Sequence, residues 1–267
     1  MINVIKSDFY KLFRGKAFYI CGAIAAVWAA LSIFIQDFAI KANFMMELDS
    51  EMMQMLGLNG ISAISFGVGA SSLLVAIIMS MFISSEFSFG TMKNIASRGI
   101  SRANIYLSKV IIGAFAVVVY TLICAITAFA TGSILWGSTG ELTRTVYLDI
   151  FRMIGLYMLA EFAMQCVFMM IGFLIRSTGG VISVNLSIMI VFPAVVLTFI
   201  NHAVRNWLNF PDFAAAKYWP VGYTGGTFLT LNAIPKDELI TGLLVCAAYI
   251  IIPTLIGLFT FQKRDIK

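Results

Sequence analysis

Charge is what this sequence has least of. Only 12% of its 267 residues are Asp, Glu, Lys or Arg, about half of the ~25% that clothes an ordinary soluble domain. Hydrophobic residues make up 60%, and they gather in long runs. A water-soluble globule, a disordered chain and a collagen-like fibre are excluded on that basis. Cysteine is sparse as well: Cys21, Cys124, Cys166 and Cys246 fall one each in four separate apolar runs. No CxxC pair occurs, so neither a zinc ribbon nor a disulfide-stapled domain is indicated, and small packing residues are the remaining reading. His202 is the only histidine, and one imidazole makes no metal site. The Gly-x4-Gly-Lys-Ser/Thr run of a phosphate-binding loop is missing too, so ATP has no usual cradle in this chain.

What is present is the pattern of an integral membrane protein. An α-helical span needs roughly 20 apolar residues. Six stretches qualify, at about 17–36, 63–84, 110–136, 152–175, 181–200 and 241–261. Barrel strands would be shorter and would alternate. The expected fold class is all-α and polytopic, one transmembrane domain over 1–267. Six spans put both termini on one side, and Lys and Arg say which. Lys6, Lys11, Arg14 and Lys16 precede the first span, and Lys93, Arg98, Arg102 and Lys109 surround the second connection. Arg176, Lys263, Arg264 and Lys267 complete twelve of the 18 basic residues, against only Asp8, Glu86 and Asp265 as acids on that side. The prediction is N-in/C-in in a cell membrane. The basic excess is thereby an orientation signal, and a nucleic-acid partner is not expected.

Residues 1–16 read as an amphipathic basic segment, not a cleavable signal peptide, because the run after them is long enough to span. Ile2, Ile5, Phe9, Leu12 and Phe13 recur at helical spacing, with Asn3, Lys6, Ser7, Lys11 and Arg14 on the other side. Such a helix is expected along the inner leaflet, near anionic lipid. It serves as an anchor in one reading and as a lever to a cytoplasmic partner in the other. On the opposite side, 37–62 is acidic and Met-rich (Met45, Met46, Met52, Met53, Met55). The connection 201–240 holds Trp207, Phe210, Phe213, Tyr218, Trp219, Tyr223 and Phe228, with Pro211, Pro220, Pro235 and Gly225-Gly226. Boundary-seeking aromatics and helix breakers together predict short surface or re-entrant helices before the last span. Small residues at Gly67-Val68-Gly69-Ala70-Ser71-Ser72 and at Gly179, Gly180, Ser183 and Ser187 predict close helix contacts.

The connection over 85–103 is the most informative. Thr91 reads as an N-cap and Gly99 as a C-terminal stop, bounding about two turns of helix, too short to be stable alone in water. Ser101 then caps the third span. Met92 and Ile95 share one face, framed by Lys93 and Arg98. An ordinary structured basic loop and a short rigid helix that fits a groove in another protein are both compatible with these residues.

The pattern Glu86…Gly90-Thr91…Arg98-Gly99…Ser101-Arg102…Lys109 between spans two and three resembles the permease subunits of type-2 ABC transporters. The likeness covers essentially the whole chain, from the N-terminal amphipathic helix to the irregular segment before the last span. It implies that the loop is a coupling helix contacting a nucleotide-binding subunit. Glu86, Gly90, Thr91, Arg98, Gly99 and Arg102 take that role by residue match, with Met92, Lys93 and Ile95 between them. The resemblance further implies an ATPase on a separate polypeptide, carrying the ATP and Mg. A second permease subunit, as homodimer or heterodimer, would complete a 12-helix core. In size and sequence the chain looks most like small exporters of Gram-positive bacteria that handle phenol-soluble modulins, lantibiotics or bacitracin. Amphipathic peptides are therefore the implied substrate, with antibiotic, lipid or ion export as the alternative. The 15 Met and 23 Phe suit a cavity tolerant of varied peptides, although they equally suit lipid-facing positions.

Glu161 is the one ionisable residue deep inside a span, where a carboxylate must be protonated, paired or facing water. Gln165 shares its helical face, and Asn185 on the next span is expected within reach. One reading is an interhelical hydrogen bond; the other is a polar contact in a translocation path. Two further function classes compete. An ion-gradient-driven transporter predicts internal repeats, and no convincing repeat is visible. An intramembrane enzyme needs several catalytic side chains in mutual reach, and only one acid and no histidine lie in the spans. The chain is expected to be non-catalytic.

Overall fold

The structure is a computed structural model that describes residues 2–44, 58–97, 99–137, 144–175, 177–207, 210, 213–221 and 236–263. Every regular element among them is helical. In chain order they are α1 Ile2–Arg14, α2 Lys16–Phe44, α3 Gly60–Val68, α4 Ala70–Ser88 and α5 Thr91–Ser97. Then follow α6 Arg102–Leu135, α7 Arg144–Leu174, α8 Thr178–Val191, α9 Thr198–Trp207 and α10 Lys236–Lys263. A π-helical turn over Phe192–Leu197 joins α8 to α9, and a 3-10 turn covers Ala215–Tyr218. Met45–Met55 of the Met-rich stretch lies outside the described residues, as do Arg98, Arg176, Pro211, Tyr223, Gly225, Gly226, Phe228 and Pro235.

Six stretches are long and apolar enough to cross a membrane: Lys16–Ala42, Gly60–Ser88, Arg102–Leu135, Ile150–Leu174, Thr178–Trp207 and Leu239–Lys263. Each overlaps one of the runs read from the sequence. The architecture is that of a multi-pass membrane protein. The fifth span runs past its expected end at 200, because α9 continues to Trp207, and Pro193 does not break it. Proline has no N–H to give, and the backbone widens into the π turn around it before resuming as α9. Pro253 is likewise carried inside α10, as membrane helices tolerate.

Span two, made of α3 and α4, is the axis of the bundle. It is 71% buried over its apolar window, against 28% for span one and 17% each for spans five and six. The reason is its small residues. A methyl group added at Gly67 would collide with Ala128, and one at Gly132 with Ala63. Backbones that close gain dispersion contacts that lipid tails cannot supply. At the same end Asn59 caps α3, accepting from Ile61 N and Ser62 N at 2.9 Å each while Ser62 Oγ accepts from Asn59 N at 2.9 Å. Buried Trp136 donates from Nε1 to Asp37 Oδ1 at 3.1 Å, and Lys41 pairs with Asp37 Oδ2 at 2.9 Å. These contacts clamp α2, α3 and α6 together at this end.

Gly132→Val is expected to wedge α3 away from α6, destabilising by about 1–3 kcal/mol and lowering the melting temperature in detergent. Gly69→Ala meets nothing within 4 Å, and its melting temperature should match the parent.

Candidate functional site

At the end of the bundle carrying α1 and α5, four charges are gathered. Lys109 Nζ donates to Asp8 Oδ1 at 2.6 Å and to Glu86 Oε1 at 2.7 Å. Lys11 Nζ donates to the same Glu86 oxygen at 2.8 Å, and Ser108 Oγ to Asp8 Oδ2 at 2.8 Å. Asp8 and Lys109 are fully buried, and Glu86 nearly so. The ammonium of Lys109 also lies 4.9 Å from the centre of the Phe82 ring, a favourable cation–π placement. Two acids and two bases leave the cluster formally neutral. It binds α1, the end of α4 and the start of α6.

The position of Asp8 corrects the expected face of α1. Val4, Asp8 and Leu12 are the buried residues, whereas Ile2 is 70% and Phe13 43% exposed. Steps of four residues advance only about 40° around a helix of 3.6 residues per turn, so these three form one stripe against the bundle. Phe9 and Phe13 flank it and pack edge-on to Phe115 at 5.0 and 5.6 Å.

The loop residues fall into distinct places. Gly90 and Gly99 adopt φ of +66° and +75°, left-handed conformations that glycine enters without a Cβ penalty, and they bound α5 on either side. Thr91 does not cap it. Its hydroxyl donates back to the Glu86 carbonyl at 3.1 Å, and Gly90 O accepts from Asn94 N at 3.3 Å. Gly90 thus stands where the cap was expected. Met92 is 1% exposed, and Ile95 packs against the same core cluster. Their shared face is turned into the bundle, because a two-turn helix at the end of a core buries its apolar side there. Asn94 and Ser97 face outward. Ser101 caps α6, accepting from Asn104 N at 3.3 Å. Arg102 donates to Phe261 O at 3.2 Å and Gln262 O at 2.8 Å, satisfying terminal carbonyls of α10, where a cation is also favoured by the helix dipole. The backbone of Lys93 belongs to α5, while its side chain and all of Arg98 lie outside the described residues.

A second polar group lies inside the spans. Glu161 is buried, and its Oε1 accepts from Ser72 Oγ of α4. Asn185 does not reach Glu161. Its Nδ2 donates to Ser80 Oγ at 2.7 Å, also on α4. Gln165 lies against Gly113, where an added methyl would strike its amide. Glu161 Oε2, Gln165 Nε2 and Asn185 Oδ1 are buried with no hydrogen-bond partner among the described residues. Nearby, the chain folds back after α9. Arg205 Nε donates to Phe213 O at 2.7 Å, and Ala215 N donates to Asn201 Oδ1 at 2.6 Å. Trp219 is then buried with Ala76, Met164 and Phe168, stacked on Phe192 at 4.9 Å and edge-on to Tyr249 at 6.0 Å. These neighbours sit near the middles of their spans.

Asp8, Lys11, Ser108 and Lys109 were not singled out as a cluster from the sequence. The available signal was the acid at the centre of a Val4-Asp8-Leu12 stripe, a buried position that calls for a cation. Ser72 and Ser80 carried a fainter one: with Ala76 and Ser84 they form a small and polar stripe at steps of four.

Removing one member of a buried charge cluster leaves the others uncompensated. Lys109→Met should therefore destabilise the chain by about 3–5 kcal/mol. Adding Asp8→Asn to it should cost less than the sum of the two single changes, because the pair shares one interaction. Thermal or denaturant unfolding of the four proteins in the same detergent measures both quantities.

No curated protein matches the chain. Residues 20–267 match the family described as protein of unknown function (DUF2705), a stretch that leaves out only the N-terminal helix, the elbow after it and the first turn of α2. With that coverage, the chain belongs to DUF2705, a family whose function is unknown.

Proposed function

We propose that this chain is the membrane-spanning permease subunit of an ATP-driven exporter of amphipathic peptides, working with a separate ATPase subunit and a second permease subunit. The observation that carries the reading is the setting of α5. It is a short helix between two spans, bounded by two left-handed glycines, with an apolar face seated on the core and a polar face outward. A helix held this way moves as part of the bundle. A push on it reaches α4 and α6 directly and α1 through the shared charge cluster. The N-in/C-in orientation would place that face in the cytoplasm, where an ATP-binding partner is available. ATP would then act by favouring one state of the bundle through differential binding.

The partly unsatisfied layer of Glu161, Gln165 and Asn185 supports a translocation path beside α4, with the fold-back at Trp219 as its plug. Buried polar groups lacking partners suit a place that water or a passing peptide amide visits. The same Glu161 is what favours the second reading, an ion-gradient-driven transporter, which predicts flux that collapses with the gradient and ignores ATP.

Tagged protein isolated from its native membranes should bring an ATPase with it. Asn94→Trp and Ser97→Arg, on the outward face of α5, should lower that recovery by about tenfold, equivalent to about 1.4 kcal/mol, without changing the melting temperature. Recovery of no ATPase would sink the proposal. Glu161→Gln preserves an acceptor for Ser72 and removes only the charge. Assembly should be unchanged and ATP-dependent peptide flux into inverted vesicles should fall; full flux would return Glu161 to a purely structural role.

A further inference from the structure

A cleft of about 410 Å3 lies between α1, the turn at Gly15 and the adjoining half of α4. That is within the range of about 300–1,000 Å3 typical of small-molecule sites. Leu12, Ala17 and Phe18 form one wall, and Ile78, Met81 and Phe82 form the other. Lys11, Ser85 and Glu86 close its polar end, and Phe89 and Thr91 border it on the side of α5. Met81 is 37% and Phe89 80% exposed, so the mouth opens sideways from the bundle. α2 and α4 belong to stretches long and apolar enough to cross a membrane, and a mouth that opens sideways between them would face lipid.

An apolar hollow facing a bilayer is filled by acyl chains, but a tail gains little by leaving one apolar medium for another. Any preference for a particular lipid must come from the head group. The charges near the cleft supply one. Asp8 and Glu86 are already matched by Lys109 and Lys11. Lys6, Arg14 and Lys16 are exposed, and they give this end a surplus of positive charge. Lys16 lies between Gly15 and Ala17, two residues of the cleft wall, and Arg14 donates to the Tyr10 hydroxyl, a neutral partner.

We propose that this cleft is a binding site for one anionic phospholipid. One acyl chain lies between Phe18 and Met81, and the phosphate is held by Lys16, Arg14 and the exposed side of Lys11. The bound lipid touches α1 and the approach to α5 at once, so its occupancy stiffens the Gly15 elbow against the α5 loop. The inference rests on the placement of the spans and does not require the transport reading.

The test uses the full chain in phosphatidylcholine vesicles containing a minor fraction of phosphatidylglycerol with a photo-activatable acyl chain. Adducts are mapped by mass spectrometry, and lipid retained by the purified protein is counted by native mass spectrometry. Adducts concentrated on Phe18, Met81 and Phe82, with one phosphatidylglycerol retained in preference to phosphatidylcholine, are expected. Met81→Trp, which fills the mouth, should abolish the retained lipid. Arg14→Gln and Lys16→Gln should each lower the preference for phosphatidylglycerol by roughly fivefold. Adducts spread evenly over the exposed faces of α2, α8 and α10 would overturn the proposal, as would retention unaffected by Met81→Trp. If that variant does not fold, the adduct map of the parent protein decides alone.

Discussion

One ammonium group organises the basic end of this protein. Lys109 has no contact with solvent, yet it carries a charge that water would otherwise stabilise by many kcal/mol. Its position is tenable only because Asp8 and Glu86 lie within 2.7 Å of it and the Phe82 ring covers its flank. Each carboxylate has a second donor, Ser108 for Asp8 and Lys11 for Glu86. Such clusters contribute little net stability compared with well-packed apolar residues, but they tolerate no other arrangement once desolvated. Here the consequence is register. An amphipathic helix resting on a bilayer is free to slide and roll. With Asp8 bound to the start of α6, α1 has one rotation and one depth.

The layer inside the membrane is built on the opposite principle. Ser80, Ser84 and Ser88 return their hydroxyl hydrogens to carbonyls of α4 itself, at 2.6, 2.6 and 3.0 Å. This back-bonding makes polar residues inexpensive at membrane depth. Span two can therefore present a stripe of hydroxyls to spans four and five without needing either. Glu161 and Asn185 attach to it one bond at a time and leave one oxygen each, Oε2 and Oδ1, unmatched among the described residues. The end cluster is held by four charge-assisted or hydroxyl hydrogen bonds and leaves only Glu86 Oε2 without a partner among the described residues, whereas Glu161, Gln165 and Asn185 of the central layer each leave one atom unmatched.

Much of this was legible in the sequence, and what was not has a common cause. The six apolar runs, the cap at Ser101 and the stop at Gly99 depend on local chemistry, and local chemistry is written in local residues. Rotation about a helix axis is not. The spacing of Ile2, Ile5, Phe9 and Phe13 identified an apolar side of α1, but Ile2 and Phe13 stay exposed and the bundle takes the adjoining stripe with Asp8. Met92 and Ile95 were rightly placed on one face, yet nothing nearby in the sequence said that this face would join the main core cluster of the bundle. Asn185 met Ser80 and not Glu161 for the same reason: a helical period gives the faces of a span, and only its neighbours decide which face meets which. Thr91 missed its capping role because the backbone turns at Gly90 one residue earlier, leaving the threonine hydroxyl free to close the turn on Glu86.

The two polar sites share α4. Glu86 and Ser72 are 14 positions apart on it, about 21 Å along a helix that rises 1.5 Å per residue. A regular helix over that length resists bending, so a displacement at the α5 end is delivered to the serine stripe as tilt or rotation. It does not continue past Gly69, where α3 ends and α4 begins. Beyond that point α3 is locked to α6 by contacts too close to admit a single extra methyl group. Under the permease reading, span two is thus a lever with a fixed upper part and a movable lower part, and the break at Gly69 is its fulcrum. The hydrogen bonds that such motion must exchange, from Ser72 to Glu161 and from Asn185 to Ser80, belong to groups that each keep one buried oxygen without a partner among the described residues.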